Sequence, residues 1–288
     1  MRRRLKTLVD RRDAMIVPGA ANALSARIIE DLGFEAIYVT GAGLSNTNLG
    51  LPDMGLLTVT ELVDTTSRIA DVTSLPLVVD MDTGFGNALN VYRTVRTLER
   101  AGAAALQIED QVFPKRCGHF SGKEVIPLDE MLNKLKAALD ARQDSNLQII
   151  ARTDSRAGAG IEHALERANA FMDVGADIVF VEAPVNRDEI ARIAAMKAPQ
   201  VINIVIGGNT PMLSLSELKT LGVSMVLYAN AGLQASVLAM QEVLGHLLAK
   251  GSLTDIGDRL ASFSERQRLV GKNFFDELEK RYVDKSDR

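Results

Sequence analysis

The chain has 288 residues, 47% of them hydrophobic and 24% charged, with a formal net charge of -4 and a pI near 5.5. This composition excludes a disordered chain and gives no electrostatic ground for binding nucleic acid, because the opening Met1-Arg2-Arg3-Arg4 is too short for a basic arm. No apolar run reaches the roughly 18 residues of a membrane span, the N-terminus lacks a signal-peptide core and one cysteine cannot close an intrachain disulfide, so a cytoplasmic protein with a small-molecule partner is expected.

From about residue 14 to 251, short β-branched runs alternate with amphipathic helical segments, and no linker interrupts them. Strands are predicted at 15–17, 36–40, 77–82, 105–110, 148–154, 178–183, 201–205 and 225–228. Leu77-Val78-Val79 and Ile178-Val179-Phe180 are apolar at successive positions, as parallel strands buried on both faces should be. Eight strand-helix units predict a single closed (β/α)8 TIM-type barrel, with an open doubly wound sheet as the competing arrangement. Helical segments closing at Gly33, Gly102, Gly175 and Gly222 carry the glycine stop of a helix C-terminus. Two connections, 41–57 and 111–126, are longer than most βα loops, and such loops are disproportionately functional. The barrel with its N-terminal helix is assigned to 1–251. Residues 252–288 form a charged helical extension whose apolar points include Phe263, Phe274, Phe275 and Tyr282; it needs an apolar surface on its own barrel or on a partner subunit.

Side chains at the carboxyl ends of barrel strands converge on one mouth. Read together, these ends give Thr40 and Gly41, Asp80 and Asp82, Glu109 and Asp110, Arg152 and Asp154, Glu182, Asn203 and Tyr228. Crowded carboxylates repel one another unless a cation sits among them, and oxygen ligands favour Mg²⁺ or Mn²⁺ over zinc. Asp80 or Asp82 is the expected direct ligand, with other acids holding its waters. Arg152 offers a planar fork to a carboxylate, and Asn203 with the amides near Gly41 can complete an anion cradle. The substrate is therefore expected to be acidic.

Within the second long loop, Lys115-Arg116-Cys117-Gly118-His119 gathers the only cysteine, one of three histidines and two further cations. Neighbouring positive charge stabilises a thiolate, so Cys117 is a candidate acid/base, with Lys115 and His119 beside it. A basic surface loop is the plainer reading. His163 and His246 fall in helical patterns. Asp82-Thr83-Gly84-Phe85-Gly86 lacks the spacing of a phosphate loop and reads as a mobile turn at the metal site.

In order, Gly50-Leu51-Pro52-Asp53, Asp80-Met81-Asp82-Thr83-Gly84-Phe85-Gly86, Ile108-Glu109-Asp110-Gln111, Lys115-Arg116-Cys117-Gly118-His119, Ala151-Arg152-Thr153-Asp154, Glu182-Ala183 and Gly207-Gly208-Asn209-Thr210-Pro211 resemble the isocitrate lyase and phosphoenolpyruvate mutase superfamily over nearly the whole chain. The cysteine segment is similar to the short lyase branch, which includes 2-methylisocitrate and 2,3-dimethylmalate lyases and oxaloacetate hydrolases. The resemblance implies Mg²⁺ on Asp80 with Asp53, Asp82 and Glu109 acting through water. It implies a substrate carboxylate at Thr40, Gly41 and Ala42, with Gly118, Arg152, Glu182 and Asn203 around the rest. It further implies cleavage of a 2-hydroxy di- or tricarboxylate, Cys117 protonating the carbanion, Tyr38 or a metal-bound water as base, and a homotetramer that exchanges C-terminal helices. An oxaloacetate hydrolase or decarboxylase, or a non-catalytic dicarboxylate-binding subunit, are the alternatives. Ile206 stands where many short members have Glu, and Ala229 where Pro or Ser often follows the late tyrosine. Both are expected near the substrate, with Ile206 giving an apolar wall suited to an alkyl substituent.

Overall fold

The structure is a computed structural model and describes residues 1–115 and 124–283. Eight parallel strands close into a barrel in sequence order: β1 (Met15–Ala20), β2 (Ile37–Val39), β3 (Leu77–Asp80), β4 (Ala103–Glu109), β5 (Gln148–Thr153), β6 (Ile178–Val181), β7 (Gln200–Asn203) and β8 (Met225–Tyr228). Closure comes from β8 pairing with β1, Met15 opposite Met225 through Pro18 opposite Tyr228. The competing open sheet is thereby excluded.

Alternation along each strand explains the continuous apolar runs. Val17, Tyr38, Val78, Ala105, Ile150, Phe180, Val201, Met225 and Leu227 pack together inside the barrel. Their neighbours Val39, Val79, Leu106 and Ile149, or Val179, Val181, Ile202 and Val226, pack outward against helices. Both faces of β2 to β7 are thus removed from water. Helix α1 (Arg2–Asp10) contributes Leu5, Leu8 and Val9 to the interior cluster. Its Arg2 donates to the carbonyls of Glu99 and Ala103 at the start of β4, which holds α1 there.

Around the barrel run α2 (Ala23–Asp31), α3 (Gly41–Leu44), α4 (Val59–Ala70), α5 (Ala88–Arg100), α6 (Leu128–Ala141), α7 (Arg156–Asp173), α8 (Arg187–Ala194) and α9 (Leu215–Leu221). The glycines predicted to stop helices, Gly33, Gly102, Gly175 and Gly222, all have positive φ. The connection read as a loop at 41–57 is partly helical. Thr40 caps α3 by accepting from the Gly43 amide at 3.1 Å, and a π-helical turn follows at Ser45–Leu49. In the second long connection the stems pair as an antiparallel bridge between Gln111 and Val125.

The chain divides into two compact units, Met1–Gly232 and Leu233–Arg288, with α10 (Ala231–Lys250) running from one into the other. The second unit continues with a 3-10 turn at Thr254–Arg259, α11 (Phe263–Leu269) and α12 (Lys272–Tyr282). Its Leu238, Leu244, Leu248, Phe263 and Phe274 are exposed. Among the described residues no helix is long and apolar enough to cross a membrane.

Candidate active site

The inward parity of the strands continues past their carboxyl ends and builds a pocket lined by Tyr38, Thr40, Ala42, Asp53, Asp80, Glu109, Lys115, Arg152, Asn203, Val205, Leu227, Ala229 and Asn230. Register places the charged groups beside one another: Asp80 is level with Gln107 across β3 and β4, and Glu109 with Arg152 across β4 and β5.

Asp80 Oδ1 accepts from the Asp82 amide at 3.1 Å and from Gln107 Nε2 at 3.2 Å. A side-chain carbon added at Gly41 would stand 3.3 Å from Asp80 Oδ2 and 3.2 Å from Asp82 Oδ1, so glycine lets the backbone come up to the acids. Asp82 itself adopts a φ of 48°, a conformation that costs a non-glycine residue and recurs at functional sites. Lys115 Nζ bonds Asp53 and lies 2.8 Å from Asp82 Oδ1. Burial raises the Asp82 carboxyl to about 6; Lys115 opposes this, while Asp80 and Asp53 add to it. Burial also pushes Glu109 well above the carboxylate range, with Arg152 opposing. Burial works against the Lys115 ammonium, but Asp82, Glu109 and Asp53 outweigh it and hold its pKa well above that of a free lysine.

These residues suit a hard divalent cation. The donors are oxygens, Glu109 Oε1 and Asn203 Oδ1 are buried without a hydrogen-bond partner, and the Gly41 cradle keeps room beside Asp80. Among the described residues no group of three acids or imidazoles converges as a closed set.

Arg152 is gripped by acids. Nε and Nη2 donate to Asp154 at 2.8 and 3.1 Å, Nε lies 3.3 Å from Glu109 and Nη2 lies 3.3 Å from Glu182. The fork read from the sequence as free for a substrate thus holds Asp154 here. Asn203 Nδ2 is 3.4 Å from Glu182, and Thr40 Oγ1 donates to Asn230 at 3.2 Å. Tyr38 donates to Gln107 Oε1 at 3.0 Å. Burial, reinforced by Asp80, raises its pKa well above that of a free phenol.

Several sequence expectations land elsewhere. Tyr228 packs with the outer cluster, because it follows the inward Leu227 by one residue. Asp110 likewise faces out of the barrel and pairs with Arg167. Ile206 is 55% exposed and outside the pocket lining; the apolar wall is made by Val205, Leu227 and Ala229. Cys117, Gly118 and His119 lie outside the described residues. His246 is 3.0 Å from Asp255 in the second unit. Sequence reasoning missed Gln107, Val205, Leu227 and Asn230. The signal was present, since Gln107 precedes Glu109 by two residues, Val205 follows Asn203 by two, and Leu227 precedes Ala229 by two.

The phosphoenolpyruvate phosphomutase family matches residues 5–248. A 2,3-dimethylmalate lyase from Eubacterium barkeri is 41% identical, the match covering 97% of each chain. A 2-methylisocitrate lyase from Aeropyrum pernix is 43% identical over 93% of this chain and 86% of its own. Among solved structures, an oxaloacetate acetylhydrolase in complex with the inhibitor 3,3-difluorooxalacetate superposes with a TM-score of 0.92 at 32% identity, covering 99% of this chain and 97% of that one. A phosphonopyruvate hydrolase in complex with oxalate and Mg²⁺ superposes with a TM-score of 0.89 at 31% identity, covering 98% and 99%. Likeness of this extent, on a barrel whose mouth gathers Asp53, Asp80, Glu109, Lys115 and Arg152 from the motifs that carried the resemblance, makes the chain an enzyme belonging to the phosphoenolpyruvate phosphomutase family, within the PEP mutase/isocitrate lyase superfamily.

Proposed function

We propose that this carbon-carbon lyase cleaves a 2-hydroxy di- or tricarboxylate carrying an alkyl substituent, of the 2-methylisocitrate or 2,3-dimethylmalate kind, with Mg²⁺ (or Mn²⁺) as cofactor. The observation that carries the reading is the polarity of the pocket. Asp80, Glu109 and Arg152 come from β3, β4 and β5, while β7, β8 and the residues just after them, on the far side of the closed barrel, bring Val205, Leu227 and Ala229 alongside Asn203 and Asn230. Acid groups and their cation have the charged side, and an alkyl group has the apolar patch opposite.

Mg²⁺, when bound at Asp80, would supply Lewis-acid polarisation of the substrate's 2-oxygen and carboxylate; Asp53, Asp82 and Glu109 would orient its waters. Thr40 and the first amides of α3, at Gly41 and Ala42, receive a substrate carboxylate, since a helix leaves its first amides without carbonyl partners. Arg152, Asn203 and Glu182 fix the remaining polar groups. The 2-hydroxyl loses its proton, the C2–C3 bond breaks to give a 2-oxo acid, and its electron pair passes to the departing acid as an enediolate. Cys117, from the Lys115-His119 segment, delivers the proton that completes the smaller acid. This role and that of Gly118 rest on the sequence motif. Tyr38, which lines the pocket, and water held at the metal site are the two candidate bases for the 2-hydroxyl proton.

The exposed apolar residues of α10 to α12 support a homotetramer with exchanged C-terminal helices, and the lone cysteine supports a cytoplasmic setting. The second reading is an oxaloacetate hydrolase, favoured by the likeness to oxaloacetate acetylhydrolase. The purely binding alternative is opposed by relatives that are lyases at 41% and 43% identity. Proton NMR of the products separates the two enzyme readings. Turnover of 2-methylisocitrate or 2,3-dimethylmalate in preference to unmethylated isocitrate or malate is expected, whereas oxalate and acetate from oxaloacetate as the fastest reaction would replace the lyase with the hydrolase.

A further inference from the structure

Behind the barrel mouth lies a chain of buried charged groups that the cleavage chemistry does not use. Asp110 follows Glu109 and therefore projects from the opposite face of the strand line. Its Oδ2 accepts from Arg167 Nε at 2.8 Å, and its Oδ1 accepts from the Asp154 backbone amide at 2.9 Å. Arg167, from the middle of α7, also donates Nη2 to the Ile126 carbonyl at 3.0 Å, while the Ile126 amide donates to the Asp110 carbonyl at 2.8 Å. Asp154, fixed through its backbone by Asp110, holds Arg152 with two bonds of its carboxylate. Arg167 is 4% exposed, Asp110 0% and Asp154 1%.

A buried ion pair is a poor device for stability alone, because desolvation offsets most of its attraction and a well-packed apolar pair of similar volume does as well. What it supplies is direction. Guanidinium forks and carboxylates meet only in a narrow set of planes, and here two such contacts are joined by one backbone amide. Arg152 meets Glu109 through Nε and Glu182 through Nη2 at once, each at 3.3 Å, so the plane of its guanidinium fixes its distance to both acids. Asp154, with two bonds to the same Nε and Nη2, sets that plane.

We propose that Arg167 and Asp110 are positioning residues of the active site, acting through Asp154 to present the Arg152 guanidinium in one orientation. The inference rests on the reading that Arg152 meets the bound acid, so its test needs one measurement independent of turnover. In protein labelled with ¹⁵N-arginine, the Arg152 Nε–H signal, identified by its loss in Arg152→Lys, reports the grip of Asp154 directly. Replacing Arg167 and Asp110 together by leucine removes both charges without leaving one orphaned. The expected result is a folded protein whose Arg152 Nε–H signal shifts and exchanges faster with solvent. Binding of oxalate in the presence of Mg²⁺ should weaken by roughly 10–100-fold, the range seen when supporting partners of a site are removed. In the Arg152→Lys background the same pair of changes should cost less than about 3-fold, because residues that act through one another are not additive. If the leucine pair does not fold, Arg167→Lys, which keeps the charge and loses the second donor to Ile126, carries the same comparison. An unchanged Arg152 signal, or equal losses with and without Arg152, overturns the proposal. A wild-type protein with the expected Arg152 signal but indifferent to Arg152→Lys in oxalate binding would overturn the substrate-site reading instead.

Discussion

Lys115→Met tests the electrostatics of the candidate site most sharply. Lys115 is 4% exposed and stands between Asp53 and Asp82, so the substitution leaves acids buried beside Asp80 without their cation. Removing one partner of a buried pair costs about 3–5 kcal/mol when the other must stay charged. Asp82 has an escape, because burial already raises it to about 6 with the lysine present and loss of the lysine raises it further. A folded-state pKa above the unfolded one gives stability that is full below the unfolded value and is lost as pH rises through the folded value. In the wild type the shift from 3.8 to about 6 corresponds to about 3 kcal/mol lost by pH 7 and above. The variant should therefore melt close to the wild type at pH 5 and well below it at pH 8, and Mg²⁺ should restore more stability to the variant than to the wild type at pH 8. Thermal melts at both pH values, with Mg²⁺ and with a chelator, provide the check. A deficit that is the same at pH 5 and pH 8 would refute the reasoning.

Gly41→Ala places a methyl group 3.2 Å from Asp82 Oδ1 and 3.3 Å from Asp80 Oδ2; a cost of about 1–3 kcal/mol is expected from overpacking, together with a loss of divalent-cation affinity measurable by titration calorimetry. Leu227→Asn puts an amide into the apolar wall, and kcat/KM for an alkylated acid relative to its unmethylated analogue should fall by about 10–200-fold; an unchanged ratio would remove the wall from the specificity account. Lys134, buried on α6, donates to the Thr83 carbonyl at 3.1 Å beside Asp82, and burial lowers its pKa. Lys134→Met relieves a buried ammonium but leaves that carbonyl without its donor, so stability should change by no more than about 2 kcal/mol while Mg²⁺ affinity declines; wild-type affinity would show that the turn holds itself.

The barrel was legible because its strands are written as continuous apolar runs at the cadence of strand, helix and glycine, and because eight parallel strands buried on both faces leave few other closures. The polar ring was legible for the same reason: Asp80, Glu109, Arg152 and Asn203 end those runs. What the runs did not disclose was parity. A one-residue offset sends a side chain to the opposite face, so Tyr228, Asp110 and Ile206 were read into the mouth although Leu227, Glu109 and Val205 occupy it. The helix at Gly41–Leu44 was hidden by its glycines, which carry little intrinsic helical preference, and is held by the Thr40 cap and the close approach to Asp80. Arg152 and Asp154 stand two apart at the end of one strand, so their shared face was open to a reading of parity. The pairing of Arg167 with Asp110 joins α7 to the residue after β4, and that partner was not visible in the sequence.

The central claim, carbon-carbon cleavage completed by Cys117 with Mg²⁺, is tested most directly by NMR product analysis of 2-methylisocitrate and 2,3-dimethylmalate. Wild-type protein and Cys117→Ala would be compared, each with Mg²⁺ and with a chelator. A 2-oxo acid and a smaller carboxylic acid should form in equal amounts only with wild-type protein and Mg²⁺. Full activity of Cys117→Ala, undiminished turnover after removal of the metal, or no cleavage of either acid would contradict the account.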